Sequence, residues 1–188
     1  IEEIIQRFAA SRVDWHELFN EEVPEPEWLV EPLVEAGRQI VIYSSPKAGK
    51  SLLVLEMAAG MAAGEEVLGN PAREPVKLLY VDQENIKDDI HERLDKMGFN
   101  EGHLDNLVYY SFPDMAALDT DAGAQELMAM IIHHDIDVVV LDTLSRVVEG
   151  HEEDNNTYHD FYRKTGVRLK AQGVTLIRLD HEGKDKQK

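Results

Sequence analysis

The chain has 188 residues, of which 43% are hydrophobic and 30% charged, a balance that suits a globule with one sizeable core. Its 19 basic and 37 acidic residues leave a net charge of −18, which argues against a broad DNA- or membrane-binding face but not against one local basic loop. It contains no cysteine, so disulfides, thiolate metal sites and cysteine nucleophiles are excluded, and a reducing, cytoplasmic setting is the expectation. No apolar run approaches the roughly 20 residues that span a bilayer. The opening Ile1-Glu2-Glu3-Ile4-Ile5 lacks the basic start of a signal peptide.

No internal repeat or low-complexity segment is present. Ile4, Ile5 and Phe8 fall at helical spacing, which predicts a short amphipathic helix over Ile1 to Arg12. In Asn20 to Glu27, Pro24 and Pro26 block both helix and central strand, so an extended surface arm is expected. Trp15, Leu18, Phe19, Trp28 and Leu29 are expected to pin that arm to a core or to a neighbouring subunit. We therefore divide the chain into an arm over residues 1–37 and a core over residues 38–188.

From Arg38 onward the pattern alternates. Gln39 to Tyr43 reads as a buried strand, and the Leu-, Met- and Ala-rich Lys50 to Ala63 as a helix ending at Gly64. Val76 to Val81 is a second strand, followed by a polar helix from Lys87 to Lys96 that stops before Gly98. Leu107 to Tyr110 is a third strand. Asp121 to His133 is a helix whose acidic start suits the positive end of its dipole. Asp137 to Asp142 is the most apolar strand. Asn156 to Lys170 reads as a helix weakened at Gly166, and Val174 to Leu179 as the last strand. This alternation predicts an α/β fold, with a mostly parallel sheet and helices on both faces. Ligands of such folds bind beyond the carboxyl ends of the strands.

The chemistry centres on Ser44-Ser45-Pro46-Lys47-Ala48-Gly49-Lys50-Ser51, between the first strand and the first long helix. The phosphate-binding P-loop pattern is G-x-x-x-x-G-K-[ST]. Gly49, Lys50 and Ser51 match it, and Ser44 stands where the first glycine belongs. Main-chain N–H groups must wrap a polyphosphate, and Gly49 lets the backbone approach it closely. Lys50 would reach the β- and γ-phosphates, the Ser51 hydroxyl would ligate Mg²⁺, and the helix N-terminus adds a favourable dipole through Leu52 and beyond.

Two further acidic positions support this reading. Asp142 ends the apolar strand Val138 to Asp142, where a Walker B carboxylate would hold the Mg²⁺ shell through water. Asp82 and Glu84 close the strand after the P-loop helix and share one parity along an extended chain. Either could orient or deprotonate an attacking water, and Glu84 is favoured because it lies further past the strand end. The alternative is that both cap the following helix.

Together these residues resemble the RecA-like ATPase superfamily, and within it the RepA-type group of replicative hexameric helicases. The resemblance runs from about Trp15 to Lys184. It rests on Pro46 to Glu56, Ala58 to Gly64, Tyr80-Val81-Asp82-Gln83-Glu84, Val139 to Leu144 and His181-Glu182-Gly183-Lys184, with Trp28 to Val30 and Gly37 before the first strand. It implies ATP and Mg²⁺ as ligands, single-stranded DNA as partner, and a homo-oligomeric ring or filament. Glu84 matches the catalytic glutamate of that superfamily. Arg93 matches an arginine that packs on the nucleotide base. His181 matches a polar sensor of the γ-phosphate, and Lys184 a basic residue acting on a neighbouring subunit's nucleotide. The arm matches a segment that packs between subunits. Relatives of this fold usually carry further strands after the histidine segment.

Other candidates are weaker. His151-Glu152-Glu153-Asp154 with His159 has metal-binding residue types, but the spacing fits no standard zinc pattern and reads as a solvated loop. Tyr109, Tyr110 and Phe112 could stack on bases but fit a core strand better. Lys184, Lys186 and Lys188 are either a DNA-facing loop or a tail. The favoured reading is a Mg²⁺-dependent ATPase motor on DNA. The alternative is an ATP-binding regulator with little turnover, suggested by Ser44 together with the lack, expected for the core over 38–188, of the last strands of such folds. A small-molecule kinase is disfavoured, because no cluster of lid arginines is apparent.

Overall fold

The computed structural model describes residues 1–9, 11–23, 25–150 and 155–181, with Asn155 and His181 described by their backbone alone. Five parallel strands form its main sheet: β3 (Gln39–Ser44), β4 (Leu78–Asp82), β5 (Leu107–Ser111), β6 (Val138–Asp142) and β7 (Thr175–His181). They precede or follow α3 (Lys50–Ala63), α4 (Lys87–Met97), α5 (Asp121–His134), α6 (Asn155–Phe161) and α7 (Val167–Ala171). The strand order is β3-β7-β6-β4-β5. This is the expected α/β architecture, and the described parallel strands coincide with the predicted runs to within two residues.

The two sheet faces bury separate cores. On one, Leu78 and Tyr80 of β4, Val138 and Val140 of β6 and Ile177 and Leu179 of β7 pack under α3 and α4. On the other, Leu79, Val81, Val139, Leu141 and Leu176 pack with Leu127 and Ile131 of α5, Phe161 and Leu169. Alternate residues of each strand thus enter opposite cores, as parallel strands covered on both faces require. Helix α3 is buried without interruption from Met57 to Ala62, which explains why its sequence is apolar all round rather than striped. It ends where Gly64, at φ 71°, turns left-handed and returns its N–H to the carbonyls of Gly60 and Met61.

Three expectations are corrected. First, β3 is an edge strand of the described sheet and is not buried: Ile40 and Ile42 pack inward, while Val41 and Tyr43 are 40% and 68% exposed. Second, residues 1–37 hold more than the predicted helix and the exposed, irregular stretch that follows Asn20. The helix is matched by α1 (Glu2–Ala9), but α2 (Trp15–Asn20) and a small antiparallel hairpin of β1 (Trp28–Val30) and β2 (Val34–Glu35) go beyond the expectation. Asp14 caps α2 by accepting from the N–H groups of His16 and Glu17. Third, Trp15, Leu18 and Phe19 do not pin the arm to this chain's core: all are exposed, Phe19 at 83%. Anchoring falls instead to the hairpin, where Val30 and Val34 are buried in the α3-side core and Leu29 packs against it. The weakness expected at Gly166 takes the form of a π-helical turn, Tyr162–Gly166, between α6 and α7.

Candidate phosphate-binding site

The strand order brings the carboxyl ends of β3, β7, β6 and β4 together. Cα partners across the sheet end level, with Ser44 opposite His181 and Asp82 opposite Asp142. The loop after β3 closes above this edge. Gly49 begins α3 at φ 89°, and a side chain built there would meet nothing within 4 Å. Glycine is therefore needed for its left-handed backbone rather than for lack of space. Ser44 is the last residue of β3, with Cα pairing intact. Extended backbone suits serine, so this position needs no glycine for its conformation. The left-handed turn of the loop falls instead on Lys47, at φ 63°.

Beside the loop lies a cleft of about 360 Å³. Lys47, Ala48, Gly49, Lys50, Ser51 and Leu52 form one wall, and Glu84, Asn85, Arg93 and Thr143 form the other. Lys50 is nearly buried, and its ammonium donates to the carbonyls of Ser44 and Ser45 at 3.1 and 3.5 Å. A second recess, lined by Pro46, Lys47, Gln83, Glu84, Phe112 and Arg146, adjoins the same loop. Glu84 and Lys47 border both spaces.

Asp142 sits at the foot of the cleft with no solvent exposure. Its Oδ1 accepts from the Ser51 hydroxyl at 3.1 Å and its Oδ2 from the Tyr80 phenol at 2.9 Å. Burial pushes its pKa up to about 6; the two hydrogen bonds oppose that rise, and the negative charges of Asp82 and Glu84 add to it. A cation beside Asp142 would relieve the same strain. The donor set, one hydroxyl and one carboxylate, is the hard-oxygen chemistry of Mg²⁺, which binds through few protein ligands and keeps waters and phosphates. Among the described residues no cluster of three or more His, Asp or Glu could hold a metal by itself. The residues present therefore fit a cation shared with a bound phosphate chain.

The two acidic candidates separate by role. Asp82 is fully buried and accepts from the N–H groups of Glu84 and Asn85, at 2.7 and 2.9 Å, and from the Asn85 amide and the Tyr109 phenol. It builds the turn that precedes α4 but does not cap that helix, whose first turn has no side-chain cap, so the helix-capping alternative is not what the structure shows. Glu84 is carried by that turn to the cleft, where its Oε1 accepts from the Thr143 hydroxyl at 3.4 Å. Arg93 reaches the cleft from the middle of α4. His181 ends β7 beside Ser44, but its side chain lies outside the described residues, as do Lys184, Lys186, Lys188 and the His151 to Asp154 loop.

Sequence reasoning missed Tyr80, Tyr109, Asn85 and Thr143. Tyr80 stands two residues before Asp82 and so shares its face of the strand, a signal that parity alone offers. Thr143 directly follows the strand-ending aspartate.

A family model described as AAA domain matches residues 5–187. The chain belongs to that family. It is accordingly a domain of the P-loop ATPase type. A comparison with curated proteins found no match to the chain. Among the described residues no helix is long and apolar enough to cross a membrane.

Replacing Asp82 with alanine removes the acceptor for two main-chain N–H groups, the Asn85 amide and a tyrosine hydroxyl. Asp82→Ala should lower stability by about 3 kcal/mol, each orphaned group costing about 1–3 kcal/mol when buried. Urea unfolding of the two chains measures this.

Proposed function

We propose that this AAA domain binds ATP with Mg²⁺ in the cleft and hydrolyses it, and that turnover drives a DNA-associated motor of the RepA type, working as a ring or filament. The observation that carries the nucleotide reading is the convergence of Lys47 to Leu52, Glu84 and Arg93 on one cleft, with the Ser51–Asp142 hydrogen bond at its foot. In this reading the N–H groups of the loop bind the phosphates, and the Lys50 ammonium turns from the loop carbonyls to the β- and γ-phosphates. Leu52 and Arg93 flank the nucleoside end. Ser51 and Asp142 hold Mg²⁺, which when bound neutralises charge across the phosphate chain. Glu84 orients a water in line with the γ-phosphorus and accepts its proton as the bond to the bridging oxygen breaks. Thr143, donating to Glu84, holds the carboxylate at the cleft.

The motor part of the proposal rests on the RepA-type resemblance. In it, residues 1–37 form an arm that packs on a neighbouring subunit, residues 38–188 form the ATPase core, His181 senses the γ-phosphate, and Lys184 reaches a neighbour's nucleotide. The apolar side chains of Ile4, Ile5, Phe8, Trp15 and Phe19, each more than half exposed, support a subunit-packing arm. With a net charge of −18, contact with single-stranded DNA would be confined to a local basic loop. The extended backbone at Ser44, which serine adopts as readily as glycine, supports turnover over the reading as a regulator.

Lys50→Ala should weaken ATP binding at least about tenfold, or about 1.4 kcal/mol, by isothermal calorimetry; unchanged affinity would contradict the site. Glu84→Gln should bind ATP within about twofold of the parent yet release phosphate about a hundredfold more slowly or worse, the usual scale of a lost general base. Near-parental turnover would remove Glu84 from that role. The same phosphate-release assay, run with and without single-stranded DNA, tests the motor reading, which requires stimulation.

A further inference from the structure

The buried face beneath the cleft holds a polar arrangement that the nucleotide reading does not use. Tyr80 is 1% exposed, in the middle of β4. A phenol so deeply buried needs an acceptor. Here it is a carboxylate oxygen on the neighbouring strand, Asp142 Oδ2 at 2.9 Å, rather than a main-chain carbonyl. Register explains the meeting: Tyr80 pairs with Val140 on β6, so the side chain two residues further along β6 on the same face is Asp142.

The ring is itself fixed. It stacks on Tyr109 of β5, its Cα partner on the other side, with centroids 4.6 Å apart and planes 13° from parallel. Tyr109 in turn donates to Asp82. The phenol of Tyr80 therefore has little freedom to swing away from Asp142. Pinning Oδ2 fixes the rotation of the carboxylate and leaves Oδ1 directed at Ser51 and the cleft. Without the phenol, Oδ2 would lose the donor that holds it, and the carboxylate would be free to rotate.

We propose that Tyr80 is a positioning residue for the divalent cation: its hydroxyl holds Asp142 so that one oxygen faces the metal side of the phosphate site. This rests on the nucleotide reading above and adds to it a residue that touches neither nucleotide nor metal. Groups that orient a metal ligand from behind typically contribute 10–100-fold to metal affinity.

The test uses Mn²⁺ as the probe, with its binding to the full chain in the presence of ADP followed by electron paramagnetic resonance. Tyr80→Phe keeps the ring and its stacking and removes one oxygen. It should weaken Mn²⁺ binding about tenfold or more, while ADP affinity measured in EDTA stays within about twofold of the parent. Tyr109→Phe removes the same kind of phenol–carboxylate bond from the same stacked pair without touching Asp142, and should leave Mn²⁺ affinity within about twofold. Undiminished Mn²⁺ binding in Tyr80→Phe overturns the proposal. So does an equal loss in both variants, which would mean general loosening, or a Tyr80→Phe chain unfolded without urea, which would make the bond structural. A parent chain that binds no Mn²⁺ with ADP overturns the metal reading itself, and is told apart because the parent alone reveals it.

Discussion

A carboxylate with no exposure to water is an expensive thing to place at the end of a central strand. Asp142 is tolerated because each of its oxygens meets a hydroxyl, one from the helix that follows the phosphate loop and one from the adjacent strand. This small arrangement joins the loop to the sheet. It also leaves a negative charge whose proton affinity is raised by burial and by Asp82 and Glu84. Lys50 and the start of α3 on one wall and Arg93 on the other supply positive potential, which in the proposed reading suits a polyanion arriving with a cation.

Parallel register does the remaining assembly. Because β6, β4 and β5 end level, Asp142, Asp82 and Ser111 lie side by side. Asp82 then fixes the turn that presents Glu84, and Ser111 adds a hydrogen bond from its hydroxyl to the Asn85 carbonyl. The acid nearest the sheet becomes structural and the one two residues later reaches the cleft. The arm is built on the opposite principle. Its helices bury nothing in this chain, and only the hairpin around Val30 and Val34 joins the core.

Much of this was legible in the residues. Hydrophobic runs set the five strands, Gly64 and Gly98 marked two helix ends, and Gly49-Lys50-Ser51 located the loop. What could not be read was strand order. The meeting of Ser51 with Asp142, 91 positions apart, and of Tyr80 with Asp142, 62 apart, depends on β6 lying next to β4, which no local pattern encodes. The same gap explains the error over Gln39 to Tyr43: an apolar run reads as buried whether its strand is central or at an edge. Trp15 and Phe19 show a related limit: large apolar side chains signal a contact without saying with which molecule, and of the two expected options the structure excludes only this chain's own core.

The central claim is that the turn from Lys47 to Ser51 grips a phosphate chain with a cation at Ser51 and Asp142. A crystal structure of the full chain with a non-hydrolysable ATP analogue and Mg²⁺ tests this most directly. The account predicts phosphates against the loop N–H groups, the Lys50 ammonium turned onto them, and the cation beside the Ser51 hydroxyl. An analogue bound elsewhere, or a loop left empty at saturating analogue, would contradict it.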